Sequence, residues 1–333
     1  MTDLIIAGIS IPVLLAVELL YFRIAARFNI MDRPNERSSH KSVTLRGGGI
    51  IFYFAALYYF LTGGLELYWF MAGLTLITVV SFADDVSSLG SGKRMLLQFV
   101  SLLLMFVQLD AFSGKYPVWA AIIALVVCAG VINAYNFMDG INGITAAYSL
   151  AAFLSLLYID YRHTPFIDPE FIYIVIAGLL VFSFFNFRKR AKCFAGDAGS
   201  VSIAFILLFM LGKLIYETGN LSYIIILLLY GVDTILTIIH RILLKENIFE
   251  AHRKHAYQIM ANELKMPHIA VASLYFAIQA LFMAGYFALF DYCYIYLACS
   301  IIVLCTLYMI FMKAFFGLHA MNAVNHTKKG KQS

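Results

Sequence analysis

This sequence predicts an all-α polytopic membrane protein of about eleven transmembrane helices, with the N-terminus outside and the C-terminus cytoplasmic. Three observations carry that prediction. Of 333 residues, 62% are apolar and 13% charged, whereas soluble domains average about half and a quarter. The apolar residues gather in runs that approach the roughly 20 residues a membrane helix needs. Finally, 21 of the 24 lysines and arginines fall in alternate connections, the asymmetry that marks cytoplasmic loops. Disorder is excluded, since it needs low hydrophobicity and high net charge.

The runs follow in order. The first, 4–22, lacks a basic segment ahead of it and reads as an uncleaved span. Runs at 47–63 and 65–82 are parted only by the turn Thr62-Gly63-Gly64. Then come 95–109, 117–135 and 141–159, the last two parted by a polar motif, and 171–187, 199–216, 221–240, 268–290 and 292–312. No internal repeat appears. The basic connections hold Arg23, Arg27, Arg33, Arg37, Lys41 and Arg46, then Lys93 and Arg94, Arg188 to Lys192, Arg241 to Lys265, and the tail. Lys115, Arg162 and Lys213 lie on the other side. The net charge of +5 therefore serves orientation, and no nucleic-acid partner is expected. Cys128, Cys193, Cys293, Cys299 and Cys305 form no CxxC pair, which argues against a disulfide framework or a zinc site.

Polar groups near a membrane are costly unless paired or functional, and five dense clusters lie on the basic side. The first is Asp32-Arg33-Pro34-Asn35-Glu36-Arg37-Ser38-Ser39-His40, continuing to Arg46-Gly47-Gly48-Gly49. It fits a solvated basic loop or an anion site, in which arginines supply forked donors and glycines let backbone amides approach. The second, Asp84-Asp85, fits two interfacial acids beside Lys93 and Arg94, or acids that reach a metal or phosphoryl group.

The third cluster, Asn133-Ala-Tyr-Asn136-Phe-Met-Asp139-Gly-Ile-Asn142-Gly143, places a polar residue at every third position. That spacing keeps one face in a 3₁₀-like turn and drifts in an α-helix. Its carboxylate and amides are oxygen ligands suited to magnesium. The fourth, Phe194-Ala-Gly196-Asp197-Ala-Gly199-Ser200, puts Asp197 near a helix start, where it is either an N-cap or part of a phosphate site. The fifth is His252-Arg253-Lys254-His255 with Tyr257-Gln258. If helical, it sets both histidines on one face; it also fits a solvated segment. Ile242, Leu243, Leu244, Ile248 and Phe249 suit the bilayer surface.

Taken together and in order, these motifs resemble the polyprenyl-phosphate N-acetylaminosugar-1-phosphate transferases, glycosyltransferase family 4. That family includes undecaprenyl-phosphate GlcNAc-1-phosphate transferases and phospho-MurNAc-pentapeptide transferase. DRPNERSSH…RGGG resembles the family's first loop, FADD its aspartate pair, NAYNFMDGING its NxxNxxDGxDG, GDAGS its GDxGS, and AHRKHAYQ its histidine loop. Asn142 stands where many members have an acid, and Lys41-Ser42-Val43-Thr44-Leu45 replaces a stretch that often carries prolines.

The resemblance implies one integral-membrane domain over 1–333, with an active site from cytoplasmic loops 23–46, 83–94, 133–143, 188–200 and 241–267. It implies transfer of HexNAc-1-phosphate from a UDP-HexNAc to undecaprenyl phosphate, releasing UMP and initiating a cell-envelope glycan such as O-antigen or capsule. Magnesium or manganese would assist, at the cytoplasmic face of the bacterial inner membrane, among membrane lipids and in a homodimer. By the same resemblance Asn136 and Asp197 would hold the metal, and Asp84, Asp85, Asp139, His252 and His255 would be catalytic. Asp84 and Asp85 would orient or deprotonate the lipid phosphate, or help hold the metal. Asn133, Asn142, Phe194, Arg46 and Arg253 would bind substrate.

Two rivals stand beside this reading. A transporter would place polar residues near the bilayer midplane, with repeat symmetry; Glu18, Lys213 and Asp233 do lie within spans, but the clusters sit at one face. A UbiA-like prenyltransferase would want a further aspartate where Ser88 stands.

Overall fold

The computed structural model describes residues 2–32, 43–87, 90–247 and 252–329, and for 2–7, 91 and 318–329 only the backbone. Apolar segments in lipid must satisfy their backbone polar groups internally, and every expected run is a helix. These are α1 (Thr2–Arg27), α2 (Ile51–Thr62), α3 (Tyr68–Val86), α4 (Ser91–Gln108), α5 (Val118–Met138) and α6 (Ile144–Arg162). They continue with α7 (Pro169–Asn186), α8 (Gly196–Thr218), α9 (Leu228–Leu243), the short α10 (Ala256–Gln258), α11 (His268–Ala288) and α12 (Cys293–Lys329). Strands β1 (Met31–Asp32) and β2 (Thr44–Leu45) pair antiparallel beside the bundle end.

Among the described residues nine helices are long and apolar enough to cross a membrane. Of the other two expected spans, Gly48–Thr62 is apolar but shorter. Helix α4 opens on Ser91-Gly92-Lys93-Arg94, a polar turn that dilutes its apolar length. The chain is an all-α, multi-pass membrane protein.

Helix α8 is the central post. It packs against α2, α3, α5 and α6, and 83% of its most apolar stretch is buried, against 22% for α5 and 17% for α12. The core around it is aromatic. Phe70 stacks on Phe209 at 4.2 Å, and Tyr148 lies flat on Tyr230 at 3.6 Å. Helix ends are set locally: Asp168 accepts from the Glu170 amide with Pro169 at the first turn of α7, and Gly219 ends α8 at φ +70°.

The ends of α1, α3, α5, α7 and α9 and the starts of α2, α4, α6, α8 and α11 meet at one end of the bundle, which brings the described parts of the five clusters together. At the opposite end lies a cavity of about 610 Å³ that touches Glu66, Asp168, Lys213 and Glu217. There Lys213 pairs with Glu217 at 2.8 Å and Asp168 accepts from the Tyr59 hydroxyl at 3.0 Å.

Candidate active site

The site is built on a close approach of backbones. The Gly48 amide donates to the Phe194 carbonyl at 2.8 Å, and the Gly49 amide to Ala195 at 3.1 Å. Phe194 in turn donates to the Leu45 carbonyl at 2.8 Å. A Cβ on Gly49 would stand 2.5 Å from the Gly199 Cα, and Gly47 sits at φ +80°. The sequence leaves two uses open for these glycines, an eased entry into the second span or an anion site. The amides of Gly48 and Gly49 bond to carbonyls, and the glycine run fastens the start of α2 to the start of α8.

That fastening fixes the acidic centre. Arg46 reaches Asp85 at 2.7 Å and Asp197 at 3.6 Å, while Arg94 reaches Asp84 at 2.6 Å and Asp197 at 3.6 Å. Asp197 thus lies between two guanidiniums, and Asn136 hydrogen-bonds its carboxylate. The neighbouring aspartates part company as adjacent helical residues do. The Asp85 carboxylate is fully buried and accepts from the Asp197 and Ala198 amides, each at 3.0 Å. Asp197 is therefore not an N-cap: α8 follows Ala195, and the cap comes from Asp85 on another helix. Burial works against the charge on Arg46, but Asp85 and Asp197 prevail and hold its pKa above the usual arginine value.

Asn133 and Asn136 of the third motif lie on α5 as an α-helix, not a 3₁₀ turn; Asp139 follows its last turn, and residues 140–143 form the turn into α6. Burial pushes Asp139 up to about 7; the Thr145 hydroxyl, donating at 2.6 Å, works against this, and Asp197 and Asp85 add to it. Asn133 is exposed, and its amide donates to the Ala129 carbonyl at 2.7 Å. Asn142 is buried and donates to the Arg188 carbonyl at 3.0 Å. Beside it, the Gly143 amide donates to Asn186 at 2.7 Å, and Asn186 donates to the Cys193 carbonyl at 2.8 Å. This lattice ties the third motif to the fourth. Phe194, half-buried, stands just ahead of α8.

The histidine loop closes the far side. His252 and His255 do not share a helical face, because 252–254 are non-helical and His255 is the N-cap of α10. The capping box with Gln258 explains the change, since it needs extended backbone at His255. The rings still lie 5.0 Å apart. Burial, with His255, Arg241 and Lys254 adding to it, pushes His252 down to about 3. His255 Nδ1 lies 3.2 Å from Asp233 Oδ1. The Tyr257 hydroxyl donates to the Phe137 carbonyl at 2.8 Å, docking the loop on the end of α5. Arg253 is half-buried in the loop, and the carboxylate of Glu246 lies against Lys254 and Arg241.

The structure thus joins Arg46, Asp84, Asp85, Asn136 and Asp197 directly, with Asp139 beneath, and sets His252, Arg253 and His255 on the adjoining loop. Asn133 and Asn142 are engaged with backbone carbonyls. Arg33, Asn35, Glu36, Arg37, Ser38, Ser39, His40 and Lys41, with Ile248 and Phe249, lie outside the described residues. Two partners were left out of the expected site residues. Arg94 was read only as an interfacial base beside Asp84-Asp85, although it lies ten positions after Asp84 at the same basic face. Asp233 had only the oddity of an acid within an apolar run.

Comparison with known proteins bears on the same residues. A family model described as glycosyl transferase family 4 matches residues 67–215, a stretch that holds the second, third and fourth clusters. The chain is 27% identical over 269 residues to a probable undecaprenyl-phosphate N-acetylglucosaminyl 1-phosphate transferase of Bacillus subtilis (strain 168), covering 75% of this chain and 74% of that one. It is 26% identical over 231 residues to a phospho-N-acetylmuramoyl-pentapeptide-transferase of Thermotoga petrophila, covering 63% and 74%. A third relative, an undecaprenyl-phosphate alpha-N-acetylglucosaminyl 1-phosphate transferase of Salmonella typhi, is 27% identical over 209 residues, covering 57% and 56%. With its helical bundle, its motifs in order and these matches, the chain is similar to glycosyl transferase family 4 over residues 67–215.

Proposed function

We propose that this chain transfers HexNAc-1-phosphate from a UDP-HexNAc to undecaprenyl phosphate at the cytoplasmic face of the bacterial inner membrane, beginning a cell-envelope glycan. The observation that carries the reading is the acidic centre held between Arg46 and Arg94 where α3 ends and α8 begins. A lipid phosphate resides at that depth, and a nucleotide sugar reaches it from water. The names of the relatives support the same substrates.

In this reaction an oxygen of the lipid phosphate attacks the sugar-bearing phosphorus. The bond from that phosphorus to the bridging oxygen breaks, UMP leaves with the electron pair, and the sugar's C1–O bond survives. Phosphoryl transfer asks a protein for positioning and charge neutralisation more than for covalent chemistry. Arg46 and Arg94 supply fixed positive charge. Asp85, with both oxygens engaged, positions Asp197, and Asp84 faces the lipid phosphate. Asp139 and Phe194 meet the nucleotide, and the histidine loop with Arg253 covers the diphosphate and sugar.

Magnesium fits the donor set. Among the described residues no group of three or more His, Cys, Asp or Glu side chains can hold a metal by itself. Magnesium, however, takes one or two carboxylates with substrate phosphates completing its shell. Asp197 and Asn136 would hold it, and when bound it would neutralise charge on the diphosphate. Purified protein should release UMP and form a lipid-linked sugar only with undecaprenyl phosphate, magnesium and one member of a UDP-HexNAc panel. Folded protein that releases none with any donor, but moves solute in proteoliposomes, would replace this reading with a transporter.

A further inference from the structure

Asp233 lies in α9, buried, and four donors converge on its carboxylate. Oδ1 accepts from the Ala256 amide at 3.1 Å and the Thr237 hydroxyl at 3.2 Å, and it faces His255 Nδ1 at 3.2 Å. Oδ2 accepts from the Tyr275 hydroxyl at 2.6 Å. An ionised carboxylate can only accept, so His255 Nδ1 carries a proton and donates it. The ring is then fixed in both tautomer and orientation, as a carboxylate fixes a metal-bound or catalytic histidine.

What the fixed ring presents is unusual. His255 is 1% exposed, yet its Nε2 is buried with no protein partner. His252 Nδ1 and Asn262 Nδ2, in the same loop, are also buried without one. Buried polar atoms are nearly always bonded, and three orphans in eleven residues beside a site mark groups awaiting a ligand. The loop lies beyond the spanning segments and docks on the end of α5 through Tyr257 and Phe137. A loop outside the spanning segments suits a water-soluble substrate and not a polyprenyl chain.

We infer that Asp233 is a positioning residue, which locks His255 so that its Nε2 meets an oxygen of the nucleotide sugar. This rests on the function proposed above for its substrate, but its geometry stands without it. Removing Asp233 frees the ring to turn and to move its proton, and Nε2 is no longer presented.

The test measures UDP-GlcNAc binding to the detergent-solubilised full chain by calorimetry, alongside turnover. Asp233→Val and His255→Gln should each weaken UDP-GlcNAc binding about 30-fold, leaving the KM for undecaprenyl phosphate within about twofold, and the double variant should be no worse than either. Asp233→Asn should recover most of the affinity, because its amide oxygen can take the Oδ1 donors while the Tyr275 hydroxyl turns to accept. Multiplied losses in the double variant, or equal losses for both substrates, would mean a merely structural role and overturn the inference. If Asp233→Val does not fold, Asp233→Glu decides: its carboxylate is displaced by one methylene, and wild-type UDP-GlcNAc affinity there would also overturn it. Wild-type protein that binds UDP-GlcNAc without releasing UMP would sink the proposed reaction while leaving this inference to the variants. Wild-type protein that binds neither UDP-GlcNAc nor any other member of the UDP-HexNAc panel would sink both.

Discussion

Asp85 closes the first turn of the helix that carries Asp197, accepting from the Asp197 and Ala198 amides at 3.0 Å each. The two acids therefore answer differently to substitution. Asp197→Ala should abolish UMP release and leave a folded protein. Asp85→Asn turns an amide N–H toward a backbone N–H and deprives Arg46 of its 2.7 Å partner. A loss of about 2 kcal/mol follows for the buried donors, seen as a lower melting temperature in detergent. An Asp85→Asn protein that melts like the wild type would show that the cap contributes nothing to stability.

Asp139 gives a pH signature. Burial holds its folded pKa at about 7, above the unfolded carboxylate value near 3.8. The native state therefore binds more protons than the unfolded chain between about pH 4 and 7. Stability from this group is present below that window and falls as pH rises through it. Asp139→Asn should flatten the melting-temperature profile from pH 5 to 8 relative to wild type. Parallel profiles would count against a raised pKa.

Two glycines hold the starts of α2 and α8 together. Gly49→Ala would drive a Cβ to 2.5 Å from the Gly199 Cα, and Gly196→Ala would do so at φ +71°, 2.6 Å from Asp85 Oδ2. Neither neighbour can yield cheaply, and overpacking of this kind costs about 1–3 kcal/mol. Both variants should lose more than 90% of turnover, roughly the effect of 1.4 kcal/mol on a barrier. Gly130→Ala, with open space around it, is the control that should behave as wild type.

Tyr257→Phe removes the hydroxyl that donates to the Phe137 carbonyl. The cost to overall stability is about 1 kcal/mol, but the effect is local. Limited trypsin digestion should cut faster at Arg253 and Lys254, with little change in the melting temperature. Unaltered cleavage would mean that the loop is held by other contacts.

The sequence made the helices legible because lipid demands long apolar runs, and it made the clusters legible because polar groups beside lipid are scarce. Partnerships were not legible. Nothing local to FADD says that Asp85 caps a helix starting more than a hundred residues later, since capping from another element leaves no spacing pattern. Asp233 looked like an isolated acid in a span until the fold brought His255, Thr237 and Tyr275 to it. The glycine run was legible as close approach but not as to what approaches. Helix α12 outran its apolar stretch, continuing to Lys329, because beyond the bilayer nothing in hydrophobicity marks a helix end.

Helix α8 is enclosed by protein while α5 and α12 lie largely exposed on the outside of the bundle. A bilayer that thickens or thins acts first on the helices it touches, through their tilt. The acid at the first turn of α8 is shielded from that adjustment by its ring of neighbours. The chemistry proposed for Asp197 would thereby be insulated from the mechanical state of the membrane, and turnover in thin and thick lipid bilayers should differ through lipid-substrate access and not through the acidic centre.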